Sequence, residues 1–263
     1  LSQWMELNDE SKARWDRNAG FWDDYMGEES NRFHRELIRP HTEELLQMKQ
    51  GLLVLDIACG NGNFSRRLAE LGANVIAFDY SSGMIERAKS RTKNSENITY
   101  KVIDATDSES LLSLGKGKFD RAVANMALMD IVDVIPLVNA LFELLTQDGT
   151  VVFSIPHPCF QTPKMRKIQE TEDVNGEIIT KNSIQTFDYL TMESYQAIGI
   201  RGQPVPHYMF HRSLAYYFDV FFRIGFVLDG FIEPSFDQGK DDGKFDWYEI
   251  PAAAIFRFKK SIR

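Results

Sequence analysis

A chain of 263 residues can bury one substantial core and still carry an elaboration on it. Its composition, 43% hydrophobic and 26% charged, is ordinary for a folded domain and excludes a disordered one. A net charge of −8 with scattered Lys and Arg argues against a nucleic-acid surface, and no apolar stretch is long enough to span a bilayer.

Residues 1–50 read as helices studded with Trp4, Trp15, Phe21, Trp22, Tyr25 and Phe33, with Pro40 expected to interrupt helix at Arg39 and Thr42 to cap a short helix through Met48. The first strand is expected over 51–57, and a helix over 63–71 follows a glycine turn and closes at Gly72. A second strand covers 74–79, and Ser81 or Ser82 caps a helix whose Met84, Ile85 and Ala88 face inward. Strands are expected at 98–103, 118–125 and 150–155, with a helix over 131–146 and a turn at Asp148-Gly149 before the fifth strand. Strands alternating with helices imply parallel pairing, right-handed crossovers and a sheet covered on both faces.

After Pro156 this alternation stops. Residues 157–211 are polar and aromatic, with a hairpin turn expected at Asn175-Gly176, and read as a cap over the carboxyl edge of the sheet. Ser213 then caps a helix to Arg223, and strands follow at 226–232 and 250–259, joined by an acidic loop over 237–246. Lacking a helical crossover, these two should pair antiparallel, so the sheet ends in a reversed strand. The expected organisation is a helical lid (1–50), a core (51–156) that carries a candidate binding motif, an inserted cap (157–211) and a completion of the core (212–263).

The most informative stretch is Val54-Leu55-Asp56-Ile57-Ala58-Cys59-Gly60-Asn61-Gly62-Asn63-Phe64, followed about 20 residues on by Asp79. Gly60 and Gly62 remove side chains where the chain must bend and a ligand approach, and Asp79 stands where a carboxylate can accept ribose hydroxyls. A nicotinamide site would want a third glycine where Ser65 stands, and a pyrophosphate would be repelled by the acids around this turn.

From Leu52 to Phe160 the pattern resembles the class I S-adenosylmethionine-dependent methyltransferases, in particular their small-molecule group, on the strength of Leu55-Asp56-Ile57-Ala58-Cys59-Gly60-Asn61-Gly62 and the ordered acids after it. The resemblance implies an α/β doubly wound, Rossmann-like sheet of seven strands, mostly parallel with an antiparallel terminal strand. It implies transfer of a methyl group to an O, N or C atom of a small acceptor, with S-adenosyl-L-homocysteine as product. It also implies roles. Asp56 would orient the turn and the cofactor's amino group, with the backbone of Ala58, Gly60 and Gly62 meeting its methionine part and Cys59 and Asn63 beside them. Asp79 would hold the ribose, Tyr80 and Met84 would flank the adenine next to Ser81, and Asp104, Ala105 and Thr106 would meet its edge. Asn125, Met126 and Ala127 would lie between cofactor and acceptor, with Met129 where relatives often carry a polar residue. In similar segments Phe21, Trp22 and Tyr25 form a lid over the cofactor.

Beyond the motif, His157 stands just past the fifth strand, at the edge where such sheets bind ligands, and is the candidate general base. His34, Tyr25, His207 and His211 are candidates for the acceptor pocket, whereas Trp4 and Trp15 read as packing. His207 and His211 have metal-like spacing but no evident third ligand, so no metal is expected, and Cys59 and Cys159 are expected to stay reduced. The first ten residues have no signal core, which makes the cytoplasm the expected location; a small-molecule partner is expected, nucleic acid and membrane are not, and a homodimer is compatible with the chain. Two other readings are a non-catalytic S-adenosylmethionine-binding module and a nucleic-acid methyltransferase; against the latter, Asn125-Met126-Ala127-Leu128 lacks the Asn/Asp-Pro-Pro-aromatic tetrad.

Overall fold

The computed structural model describes residues 4–93, 97–237 and 247–261. Helix α1 (Asn8–Met26) is followed by a π-helical turn (His34–Ile38) running directly into α2 (Arg39–Leu46). Pro40 therefore does not break the helix as the sequence suggests. It occupies the first turn of α2, where a missing N–H costs nothing, and Thr42 is buried within the helix with its hydroxyl donating to Asn125 Oδ1 at 3.0 Å.

The alternating segment folds as β1 (Leu53–Ile57), α3 (Asn63–Glu70), β2 (Asn74–Asp79), α4 (Ser82–Arg91), β3 (Ile98–Val102), α5 (Ser108–Leu112), β4 (Phe119–Asn125), α6 (Ile135–Leu144) and β5 (Leu145–Pro156). Ser81 caps α4, its Oγ accepting from the Met84 N–H. The Asp148-Gly149 turn is absorbed into β5 as a break in register, since β4 pairs Phe119 with Leu145 and then Arg121 with Thr150. Next come two hairpins, β6 (Arg166–Val174) with β7 (Glu177–Gln185) and β8 (Glu193–Ala197) with β9 (His207–His211). Helix α7 (Leu214–Ile224), β10 (Phe226–Ile232) and β11 (Ala253–Lys260) complete the chain. The acidic run over 237–246 lies, beyond Asp237, outside the described residues.

The seven-stranded sheet has the order β10-β11-β5-β4-β1-β2-β3. Strand β11 is antiparallel to both neighbours, so the reversed strand is the last in the chain but sits one place in from the edge that β10 forms. Alternate strand residues point to opposite faces. Leu55, Ile57, Phe78 and Phe153 pack under α5, α6 and α7, while Val54, Val75, Val123 and Val152 pack under α2, α3 and the π-helical turn. Both faces are thereby dry, and the carboxyl ends of β1, β2, β3 and β4 open together on one side.

Candidate functional site

A cavity of about 790 Å³ lies over those strand ends. Its floor is the glycine turn. Ala58 is held at φ 50° and Gly60 at φ 56°, in the left-handed region, and a Cβ built on Gly60 would meet nothing within 4 Å, so the open space there belongs to the cavity. Gly62 has another reason to be glycine: a side chain there would overlap the Tyr100 hydroxyl, so it serves packing and does not line the cavity. Met126, at φ 51° after β4, is a second strained residue on the cavity wall.

Three carboxylates stand along one wall. Asp79, at the end of β2, accepts from the Gly60 N–H at 3.0 Å and the Ser81 N–H at 2.9 Å, which ties the glycine turn to the neighbouring strand. Burial pushes its carboxyl up to about 6 against those two bonds. Asp56 accepts from Ser65 Oγ at 2.5 Å, and burial pushes it up to about 7, with Asp79 adding to the rise. Asp104 accepts from Asn8 Nδ2 at 2.7 Å and from the Thr106 N–H and hydroxyl at 2.8 and 2.7 Å.

Helix α1 crosses this rim from end to end. Asn8 reaches Asp104, Ser11 lies 3.2 Å from the Tyr80 hydroxyl, Ser81 Oγ donates to Asp16 at 2.5 Å, and Asn61 Nδ2 donates to Asp23 at 3.0 Å. Arg91 of α4 clamps Asp23 through Nε and Nη2. The other side of α1 grips the β8–β9 segment: Asn18 exchanges two bonds with the Val205 backbone at 2.9 and 3.1 Å, and Trp22 Nε1 donates to Gln203 at 3.2 Å. One helix thus joins the strand-end wall to the far wall built by Tyr195, His207 and Met209.

Most residues singled out in the sequence face this cavity: Asp56, Ala58, Cys59, Gly60, Asn63, Asp79, Tyr80, Met84, Asp104, Ala105, Asn125, Met126, Ala127, Trp22, Tyr25, His34, Met129 and His207. Ser81 and Thr106, like Gly62, support it from behind. Two histidines are corrected. His157 is buried away from the cavity, its Nε2 2.7 Å from Glu233 and its Nδ1 accepting from the Cys159 N–H, so both ring nitrogens are engaged and it clamps two loops instead of meeting an acceptor. His211 has its Nε2 2.9 Å from the Tyr189 carbonyl and also lies outside. Trp15, read as packing, is cavity wall, whereas Trp4 does pack, 5.1 Å from Phe210. Arg39 and Asp130 line the cavity without having been singled out.

The profile of the methyltransferase domain family matches residues 48–198. The chain belongs to that family. Among solved structures, the S-adenosylmethionine-dependent methyltransferase of Mesorhizobium loti superposes with a TM-score of 0.67 at 23% identity, covering 84% of this chain and 96% of that one. The demethylmenaquinone methyltransferase of Clavibacter sepedonicus is 27% identical over 169 residues, covering 62% of this chain and 65% of the relative. The ubiquinone biosynthesis O-methyltransferase of Xanthomonas campestris is 30% identical over 105 residues, covering 40% and 43%. The chain thus spans less than two thirds of the curated relatives it matches. The open backbone at Gly60 beside three carboxylates suits a cationic nucleoside such as S-adenosylmethionine better than a phosphate ester. No helix among the described residues is long and apolar enough to cross a membrane.

Proposed function

We propose that this protein methylates a small, largely apolar acceptor held between the cofactor and the β8–β9 wall. The observation that carries this reading is one cavity with two unlike ends, carboxylates and glycine backbone at the strand ends, and Trp15, Met129, Ile131, Tyr195 and Met209 opposite. A module that only bound the cofactor would have no use for the second end. When bound, the cofactor supplies a methyl group already activated on a sulfonium sulfur.

The chain's own residues then orient and exclude water. Asp79 takes the ribose hydroxyls on the lone pairs that Gly60 and Ser81 leave free. Arg39, whose Nη2 lies 3.4 Å from Asn63 Oδ1 beside the glycine turn, is placed to meet the methionine carboxylate. Trp22, Tyr25 and Met26 of α1 close the space above. The names of the two curated relatives, demethylmenaquinone and ubiquinone biosynthesis methyltransferases, agree with a flat, apolar acceptor. The test is a screen of candidate metabolites for S-adenosylhomocysteine formation. The expected result is turnover of an apolar acceptor by the native protein and loss of cofactor binding, with the fold intact, in Asp79→Ala. Unchanged affinity in that variant would contradict the assignment.

A further inference from the structure

Opposite the cofactor end, the far wall holds two polar groups that the fold itself leaves incompletely used. Asp130 follows β4, lines the cavity, and has its Oδ1 buried without a hydrogen-bond partner among the described residues. A buried carboxylate oxygen left unsatisfied costs free energy, so its retention calls for a ligand group. His207 of β9 is buried in the same wall, with Nε2 3.9 Å from that Oδ1. Its ring lies 4.8 Å from that of Trp15, tilted 40° to it, and is met edge-on by Trp22, and the two contacts together fix its plane.

The proton on His207 can be located from Gln203. The Gln203 Oε1 accepts from Trp22 Nε1 at 3.2 Å and from the Gly199 N–H at 3.3 Å, so its amide nitrogen must face the Val205 carbonyl at 2.6 Å and His207 Nδ1 at 3.1 Å. Nδ1 is therefore an acceptor, and the neutral ring carries its hydrogen on Nε2, toward Asp130. Burial holds the imidazole down at about 4, so the ring is neutral near pH 7. A gap of 3.9 Å is too long for a direct hydrogen bond, but an oxygen about 2.8 Å from each atom fits between them as the apex of a triangle.

One converging donor and one converging acceptor select the group that belongs there. A hydroxyl donates and accepts at once, a protonated amine would meet the Nε2–H with a like donor, and a carboxylate would be repelled by Asp130. Trp15, Trp22, Met129 and Met209 around the pair suit a flat, uncharged body.

Resting on the proposed methyltransferase reading, we propose that Asp130 and His207 are the catalytic pair that receives the acceptor and that the acceptor is an aromatic hydroxyl, a phenol or enol. The His207 Nε2–H donates to the reacting oxygen while Asp130 Oδ1 takes its proton. The O–H electron pair forms the new bond to the methyl carbon, the C–S pair stays on sulfur as a neutral thioether, and the proton rests on Asp130 until water removes it as the ether leaves. Asp79, Asp104, Tyr80 and Tyr195 are the other ionisable groups on this part of the wall; burial first, and then the charge of Asp79, raise the Asp130 carboxyl well above the ordinary carboxylate range, which makes it the stronger base wherever it is ionised.

The test uses 4-nitrophenol, whose phenolate absorbs in the visible, titrated into the intact protein saturated with S-adenosylhomocysteine. Native protein, Asp130→Asn and His207→Phe are compared, with cofactor binding followed by calorimetry. The expected result is that the midpoint of the bound probe in Asp130→Asn departs from that in native protein by at least one pH unit, because the acid that shares its proton is gone, and lies higher in His207→Phe, because the donor to the phenolate is gone. Equal midpoints in all three, or no binding of the probe to cofactor-loaded native protein, would overturn the pair. Failure of native protein to bind S-adenosylhomocysteine would instead overturn the methyltransferase reading beneath it. Nitrogen-15 spectra of histidine-labelled native protein give an answer independent of any variant: a His207 proton on Nε2 is expected, and one on Nδ1 would sink the assignment.

Discussion

On the proposed reading, Asp79 links the fold to ligand binding through one side chain. Its two oxygens already accept from Gly60 and Ser81, so the carboxylate sets the shape of the glycine turn before any ribose arrives. Charge-assisted hydrogen bonds contribute about 1.5–3 kcal/mol each, so Asp79→Asn should weaken S-adenosylhomocysteine binding about 10–100-fold by calorimetry while the protein stays folded. Asp79 is held up at about 6, so the native affinity should fall as the pH drops through that value and the carboxylate takes a proton, a step Asp79→Asn should lose. Arg39→Ala makes a complementary prediction. It should weaken S-adenosylhomocysteine about tenfold and leave 5′-methylthioadenosine, which lacks the carboxylate, unaffected; equal losses for both ligands would refute the pairing. Asp79 and Gly60 were legible because strand, turn and acid are close in sequence. Asp130, Arg39 and Gln203 were not, because each acquires its role from partners brought up from elsewhere in the chain, and His157 misled because Glu233, 76 residues away, turns its ring from the cavity.

Among the elements, α1 carries the greatest burden, since it closes the strand-end rim and braces the β8–β9 wall. Its attachment to the glycine turn runs through Asp23. Burial pushes that carboxyl up, but the bonds from Arg91 and Asn61 outweigh burial and hold it below the ordinary carboxylate range. The stabilisation is therefore present above about pH 4 and is lost as the pH falls through the folded value. Arg91→Ala should cost about 2 kcal/mol in denaturant unfolding and speed both proteolysis within α1 and S-adenosylhomocysteine release in stopped flow. An unchanged release rate would show that α1 is not a gate. The helix itself was readable from its aromatic spacing, as were the Ser81 and Ser213 caps and the Asn175-Gly176 turn, where φ values of 55° and 88° match the hairpin that dipeptide favours. The unbroken passage through Pro40 was not, because proline in a first helical turn and proline ending a helix look alike in sequence.

Across the whole molecule, the sheet order follows from strands alternating with helices, whereas residues 157–211 divide in a way no local pattern marks: β8–β9 forms cavity wall, and β6–β7 pairs only with itself. The burial that makes the cavity also sets how stability responds to pH. His34 and His207 are both held down at about 4 by burial, so the unfolded chain binds their protons first, and stability rises as the pH climbs from about 4 to 6.5. Asp56 is held up at about 7, and Asp130 is raised too, so the folded state retains protons the unfolded chain has lost, and stability falls as pH rises above the ordinary carboxylate value. Below about 6.5 the two pairs oppose each other; above it only the acids still act. Asp79, held up at about 6, adds a third acid that acts until about that pH, so the cofactor-free protein should show no maximum near pH 6.5: its stability should change little up to that pH and then fall, losing several degrees of Tm by pH 8. Asp56→Asn isolates one contribution, since an amide oxygen can still accept from Ser65. Its stability advantage over native protein should widen from pH 4 to about pH 7 and stay constant above, and an advantage that does not vary with pH would refute a raised Asp56.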